Sequence, residues 1–189
     1  MVCQDLTSIV RLVESDSDKE AAYRLRYRVF SQDLGWIPPS ENCLDIDEYD
    51  ECSIMLGSYN KNTSELQALI RITRGPNRFM SDDIFSECFG THKIHRDHDS
   101  VDLTRLSVNV HNGHMTKSIL KSVKLLFDGV CVWGDNNGVR FMYMVTNESL
   151  FRYLVRIGWM FKVMGSPVIF PPANVKSLGG LIDLKDMRN

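Results

Sequence analysis

Apolar residues along this 189-residue chain switch between two periods. Thr7 to Val13 alternates and predicts a short strand. Ser15 to Asp18 can start a helix. Within Lys19 to Leu34, Ala22, Leu25 and Val29 then fall at helical spacing, until Gly35 stops the helix and Pro38-Pro39 opens a loop. After an acidic loop, Asp45 to Glu51, the runs Ser53 to Tyr59 and Leu66 to Thr73 read as strands. The polar turn Asn60 to Ser64 joins them as an antiparallel hairpin. Gly75-Pro76-Asn77 breaks the pattern, and Val101 to Val110 alternates again. Met115 to Trp133 is an amphipathic helix, Val139 to Val145 a buried strand, and Glu148 to Arg156 a short helix ending at Gly158. Short strands follow near Trp159 to Met164 and Pro167 to Phe170. This order predicts an α/β (α+β) domain in which helices flank a mixed, largely antiparallel sheet, with residues 1–189 forming one unit.

Composition narrows the classes. At 43% hydrophobic and 24% charged, with a formal net charge of -2, the chain is neither disordered nor a basic nucleic-acid binder. Cys3, Cys43, Cys52, Cys88 and Cys131 are odd in number and lack CxxC spacing, which points to a reducing cytoplasm and not to a disulfide scaffold. Met1 to Asp18 lacks the basic and apolar regions of a signal peptide, and no stretch approaches the ~20 apolar residues of a membrane helix.

The polar residues inside apolar elements carry the chemistry. Arg26 and Phe30 are one helical turn apart, and Trp36 can fold back towards Phe30. Two readings stand: a surface arginine beside core aromatics, or an aromatic wall with a cation at its edge, suited to a cofactor bearing an adenine, a carboxylate and a sulfonium. Asp47-Glu48-Tyr49-Asp50 alone is a solvated acidic loop without the spacing of a calcium site. Arg71 alters that, because an arginine within the apolar run Ala68 to Ile72 needs carboxylate partners, for which Asp47 and Asp50 are candidates. In Val101 to Val108, alternation puts Asp102 and Thr104 on one face and Arg105 on the other unless a bulge intervenes. His92, His95 and His98 lie in a polar, charge-rich run that reads as a surface loop, so no metal is expected.

Taken in order, these segments resemble the acyl-homoserine-lactone synthases, the autoinducer synthases of bacterial quorum sensing. The resemblance runs through Leu25-Arg26-Tyr27-Arg28-Val29-Phe30, Leu34-Gly35-Trp36, Asp47-Glu48-Tyr49-Asp50, Ile70-Arg71, Gly75-Pro76-Asn77, Asp102-Leu103-Thr104-Arg105 and Arg156-Ile157-Gly158-Trp159. It implies a Gcn5-related N-acyltransferase-like fold, with S-adenosylmethionine and acyl-acyl-carrier-protein as substrates and no metal or redox cofactor. Arg26, Phe30 and Trp36 would form the S-adenosylmethionine site, with Phe85 beside it and Asp47, Asp50, Arg71 and Arg105 as an electrostatic cluster at its floor. The family usually has Glu where this chain has Asp102, one methylene shorter. Members using 3-oxo chains carry Thr where Tyr143 aligns, which argues for an unsubstituted or differently substituted chain here.

A free α-amino group has a pKa of about 7.7–8.0 and must be neutral to attack a thioester. Asp102 is the first candidate for the base, directly or through water, and Asp47 the second; Arg105 completes the catalytic set. A main-chain N–H near Leu106 to Val108 is expected to stabilise the oxyanion. Val123, Leu126, Met142, Met144, Leu150 and Leu154 are candidates for an acyl tunnel, with ordinary core as the alternative. Lys117, Lys121 and Lys124 share a helix face that would dock the acidic carrier protein. A monomer that binds neither nucleic acid nor membrane is expected. The rival is another N-acyltransferase on this fold, such as an N-acyl amino acid synthase fed by carrier protein or acyl-coenzyme A. Val110-His111-Asn112-Gly113-His114-Met115 does not match the R/Q-x-x-G-x-G/A loop of coenzyme-A users, which disfavours acetyl-coenzyme A.

Overall fold

The computed structural model describes residues 1–110, 116–172 and 174–188. The segment 111–115, on which the comparison with the coenzyme-A loop rests and with which the predicted helix begins, lies outside them. The described chain contains β1 (Cys3–Gln4), β2 (Ser8–Leu12), α1 (Asp16–Tyr27), β3 (Ser53–Asn60), β4 (Leu66–Arg74), β5 (Ser100–Val108), α2 (Lys117–Asn136), β6 (Phe141–Asn147), α3 (Glu148–Arg156), β7 (Phe161–Val163), β8 (Val168–Phe170) and β9 (Val175–Asp183). The strands pair in the order β1-β2-β3-β4-β5-β6-β9-β7, with β8 also on β9. This is the mixed, largely antiparallel sheet with helices that the periodicity predicts. The chain forms two compact units. One comprises residues 1–50, 54–71 and 105–133, the other 51–53, 72–104 and 134–189.

In the first unit, β2 pairs antiparallel with β3 from Ser8↔Asn60 to Leu12↔Leu56. The predicted turn after β3 is held by Asn60, whose side chain accepts from Asn62 N–H at 2.8 Å. Helix α1 is capped by Ser15, whose hydroxyl accepts from Asp18 N–H at 3.1 Å, and Asp16 and Asp18 suit its positive end. Its predicted stripe is buried: Ala22 and Leu25 join Val13, Met55, Tyr59, Leu66 and Leu69, with Val29 packed against them. The helix does not run on regularly to Leu34. It ends at Tyr27, and Arg28–Asp33 forms a π-helix that closes with Leu34 N–H donating to Val29 O at 3.0 Å. Gly35, at φ +64°, stops it as predicted. Helix α2 buries Ile119, Val123, Leu126, Phe127 and Val130, all at helical spacing.

In the second unit, β6 runs parallel to β5 from Ser100↔Phe141 to Leu103↔Met144 and antiparallel to β9 over seven pairs. Phe79, Phe89 and Tyr143 form a buried aromatic cluster with Cys88. The sequence pattern does not reveal β9, because Lys176, Ser177 and the Gly179-Gly180 pair interrupt any alternation. Those glycines are what the strand requires. A Cβ at Gly180 would lie 2.1 Å from the Phe161 ring, and one at Gly179 only 2.6 Å from Cys88 O.

Candidate active site

Three arginines and three aspartates converge within the first unit. Arg26 of α1 and Arg71 of β4 are 0% exposed. Charges cannot be left alone at that depth, because desolvation of an unpaired ion costs several kcal/mol. Asp45 Oδ2 accepts from Arg26 Nε at 3.0 Å and from Arg105 Nε at 2.9 Å. Asp50 takes Arg26 bidentately, at 2.6 and 3.1 Å, and accepts from Arg71 Nη1 at 3.1 Å. Asp47 accepts from Arg71 through Oδ1 and from Arg105 Nη2 through Oδ2 at 2.9 Å, and its Oδ2 lies 3.6 Å from Arg26 Nη2. The loop that carries the acids is fixed locally. Asp45 N–H donates to Tyr23 O, while Glu48–Cys52 winds into a 3-10 turn in which Asp50 N–H donates to Asp47 O at 3.0 Å.

Three positive and three negative charges balance. Burial would raise the Asp50 carboxyl, but the hydrogen bonds and charge of Arg26 hold it below its ordinary range. Burial would likewise lower the Arg26 guanidinium, yet Asp50 and Asp45 keep it above its usual value. Arg105 differs: burial lowers it, and Asp45 and Asp47 offset only part of that. Its φ of +55° interrupts the pleat of β5, so strict alternation ends there. Arg105 also supplies the cation at the aromatic wall. Its guanidinium stands 5.1 Å from the Phe30 ring centre, and Phe30 and Trp36 are 5.9 Å apart with tilted rings. Trp36 does fold back, its N–H donating to Phe30 O at 2.7 Å. Arg26, predicted at the edge of that wall, instead lies wholly within the charge cluster.

An arginine–aspartate cluster beside a Phe–Trp wall is the arrangement implied by the family resemblance, and the family comparison is decisive. The family model described as autoinducer synthase matches residues 11–188. The chain belongs to the autoinducer synthase family. An acyl-homoserine-lactone synthase of Aliivibrio fischeri is 27% identical over 133 residues, covering 70% of this chain and 69% of that one. The crystal structure of the synthase LasI superposes with a TM-score of 0.81 at 17% identity, over 94% of this chain and 90% of that one. The coenzyme-A-dependent synthase BjaI, solved with S-adenosylmethionine and isopentyl-coenzyme A, gives 0.73 at 15% identity over 89% and 79%. An N-acetyltransferase-like neighbour shares the fold as well. Autoinducer synthases are acyltransferases, and this chain is one of them.

The remaining expected site residues of this synthase divide between its two units. In the second, Asp102 is 0% exposed and accepts from Ser81 Oγ at 2.6 Å and Ser81 N–H at 3.2 Å. Phe85 packs edge-on to Phe170 at 5.3 Å. Met142, Met144 and Leu154 are buried and Leu150 half-buried, while Tyr143 is buried with its hydroxyl accepting from His95 N–H at 3.1 Å. In the first unit, Val123 and Leu126 are buried on α2. Lys117, Lys121 and Lys124 are exposed on it, and Lys124 pairs with Asp128 at 2.7 Å. Among the described residues, no grouping of His, Cys, Asp or Glu could hold a metal ion, and no helix is long and apolar enough to cross a membrane. Sequence reasoning missed two residues. Asp45 headed the acidic loop, and counting three arginines against two named aspartates signals that a third is needed. Ser81 sits in a polar turn and carries no such signal.

Proposed function

We propose that this autoinducer synthase N-acylates S-adenosylmethionine from acyl-acyl-carrier-protein and closes the product to an acyl-homoserine lactone in the cytoplasm. The observation that carries the reading is the family match over residues 11–188. The α-amino nitrogen attacks the thioester carbonyl and gives its proton to Asp102, the C–S bond breaks, and Asp102 returns that proton to the departing sulfur, so that the carrier leaves as a thiol. The carboxylate of the acylated intermediate then attacks its own γ-carbon. The sulfonium C–S bond breaks, and methylthioadenosine leaves as a neutral thioether. This second step is intramolecular, so orientation supplies much of its rate. Phe30, Trp36 and Arg105 line the S-adenosylmethionine site in this reading, with Arg26, Arg71, Asp45, Asp47 and Asp50 fixing its floor. Val123 and Leu126 in the first unit, and Met142, Met144, Leu150 and Leu154 in the second, are the residues to test for the acyl chain.

A carrier protein is favoured over coenzyme A by the exposed lysines of α2, which suit an acidic partner. The fold itself is shared with a coenzyme-A-dependent synthase, so it does not decide between them. Purified protein is supplied with S-adenosylmethionine, free amino acids and either octanoyl-carrier-protein or octanoyl-coenzyme A, and products are read by mass spectrometry. Octanoyl-homoserine lactone from the carrier protein is the expected product. A linear N-acyl amino acid supports the rival synthase, and equal turnover of both donors refutes the carrier preference.

A further inference from the structure

We infer that Ser81 is a positioning residue for the acylation step, holding the Asp102 carboxylate through two donors at once. The inference rests on the proposed role of Asp102 as base. Ser81 follows Phe79 and Met80, which are 0% and 3% exposed, and the turn after it is closed by Phe85 N–H donating to Met80 O at 3.0 Å. The serine is therefore anchored on both sides and is itself 0% exposed. From this anchor it presents its hydroxyl to Asp102 Oδ1 at 2.6 Å and its N–H to Oδ2 at 3.2 Å.

One donor on each oxygen fixes the plane of the carboxylate, which a single hydrogen bond leaves free to rotate. Torsional freedom matters for a base, because the lone pair has to lie along the direction from which the proton comes. Burial adds a second requirement: a carboxyl group at 0% exposure needs hydrogen bonds in place of its water. Ser81 meets both requirements, and its hydroxyl is the shorter and more replaceable of the two donors. The backbone N–H is kept in Ser81→Ala, so removing the hydroxyl weakens the orientation without abolishing the site.

The test compares Ser81→Ala, Asp102→Asn and the double variant, with thermal melts first and then single-turnover acylation of S-adenosylmethionine and KM for both substrates. Loss of one hydrogen bond to a charged group predicts about a 10- to 100-fold slower acylation for Ser81→Ala at unchanged KM. Asp102→Asn should slow it ~10²–10⁴-fold. The double variant should be no slower than Asp102→Asn alone, because the serine acts only through the carboxylate. Full turnover by Asp102→Asn removes the underlying role of Asp102. A slow Asp102→Asn beside a Ser81→Ala of wild-type rate overturns the inference about Ser81 alone. Losses that multiply in the double variant, or a Ser81→Ala effect confined to melting temperature and KM, make the serine a clasp for its turn and overturn it too.

Discussion

Replacing Arg26 by methionine tests whether the arginine–aspartate cluster behaves as one electrostatic unit. Arg26 contributes one of its three positive charges and touches all three aspartates, at 3.0 Å to Asp45, 2.6 Å to Asp50 and 3.6 Å to Asp47. Without it, three carboxylates face two guanidiniums, and the orphaned charge falls on Asp45 and Asp50, whose side chains are 4% and 7% exposed. Removing one partner of a buried ion pair costs about 3–5 kcal/mol, mostly as the penalty of the charge left behind. At this chain length that is a fall in Tm of roughly 6–20 °C. Urea unfolding at pH 7, followed by circular dichroism, measures it. Arg24→Met is the internal control: its pair with Glu20 is more than half exposed on both sides and should cost about 0–1 kcal/mol. Adding Asp50→Asn to Arg26→Met removes the orphaned charge, so the double variant should be less destabilised than the sum of the single ones, with a coupling of about 0.5–3 kcal/mol. A loss below about 1 kcal/mol for Arg26→Met, or strict additivity in the cycle, would show that the cluster does not act as a unit.

Three further outcomes are expected. Because the Asp50 carboxyl is held below its ordinary range, its contribution is fully present above the unfolded value near pH 4 and fades as pH falls below it. The urea midpoint of the wild type should therefore drop more steeply from pH 5 to 3 than that of Asp50→Asn, and parallel curves contradict the assignment. Trp36→Ala, at a half-buried position, should keep the fold and weaken S-adenosylmethionine binding by roughly 2- to 30-fold, the range of a cation–aromatic contact; unchanged affinity by calorimetry refutes it. Among the described residues Lys117 and Lys121 have no carboxylate partner, so Lys117→Glu with Lys121→Glu should raise KM for carrier protein and spare KM for S-adenosylmethionine. The effect should shrink at high salt. Wild-type KM at low salt moves the docking face elsewhere, with Arg152, Arg156 and Lys162 next.

Where local pattern and tertiary environment agree, the sequence is readable. The stripe of α1, the hairpin of β3 and β4 and the span of α3 follow from residue spacing alone. The π-helix at Arg28–Asp33 does not, since a π-turn has no residue signature and Val29 and Phe30 fit a regular helix equally well. Strand β9 was hidden for the opposite reason: the glycines that admit Cys88 and Phe161 remove the side chains that alternation needs. Among the site residues, an arginine in an apolar strand announced Arg71 and its need for acid. Ser81 announced nothing, because its importance comes from a partner 21 residues away.

The cluster also explains why this unit carries charge where hydrophobic packing would serve stability at least as well. Buried ion networks often match well-packed apolar side chains in stability at best, so stability alone is a weak reason to keep six charges. Their arrangement is graded. Arg26 and Arg71 are sealed at 0% exposure, whereas Arg105 and Asp47 are 12% and 21% exposed. In the proposed function the sealed pair is a rigid electrostatic floor and the open pair its working face. That face combines a cation incompletely compensated for its burial, a carboxylate held from two sides, and the Phe30 ring beneath the guanidinium. Such a surface offers fixed dipoles that need no reorganisation when a charged substrate arrives. Disturbing the floor should thus lower stability first and substrate binding second, while changes at the open face should do the reverse.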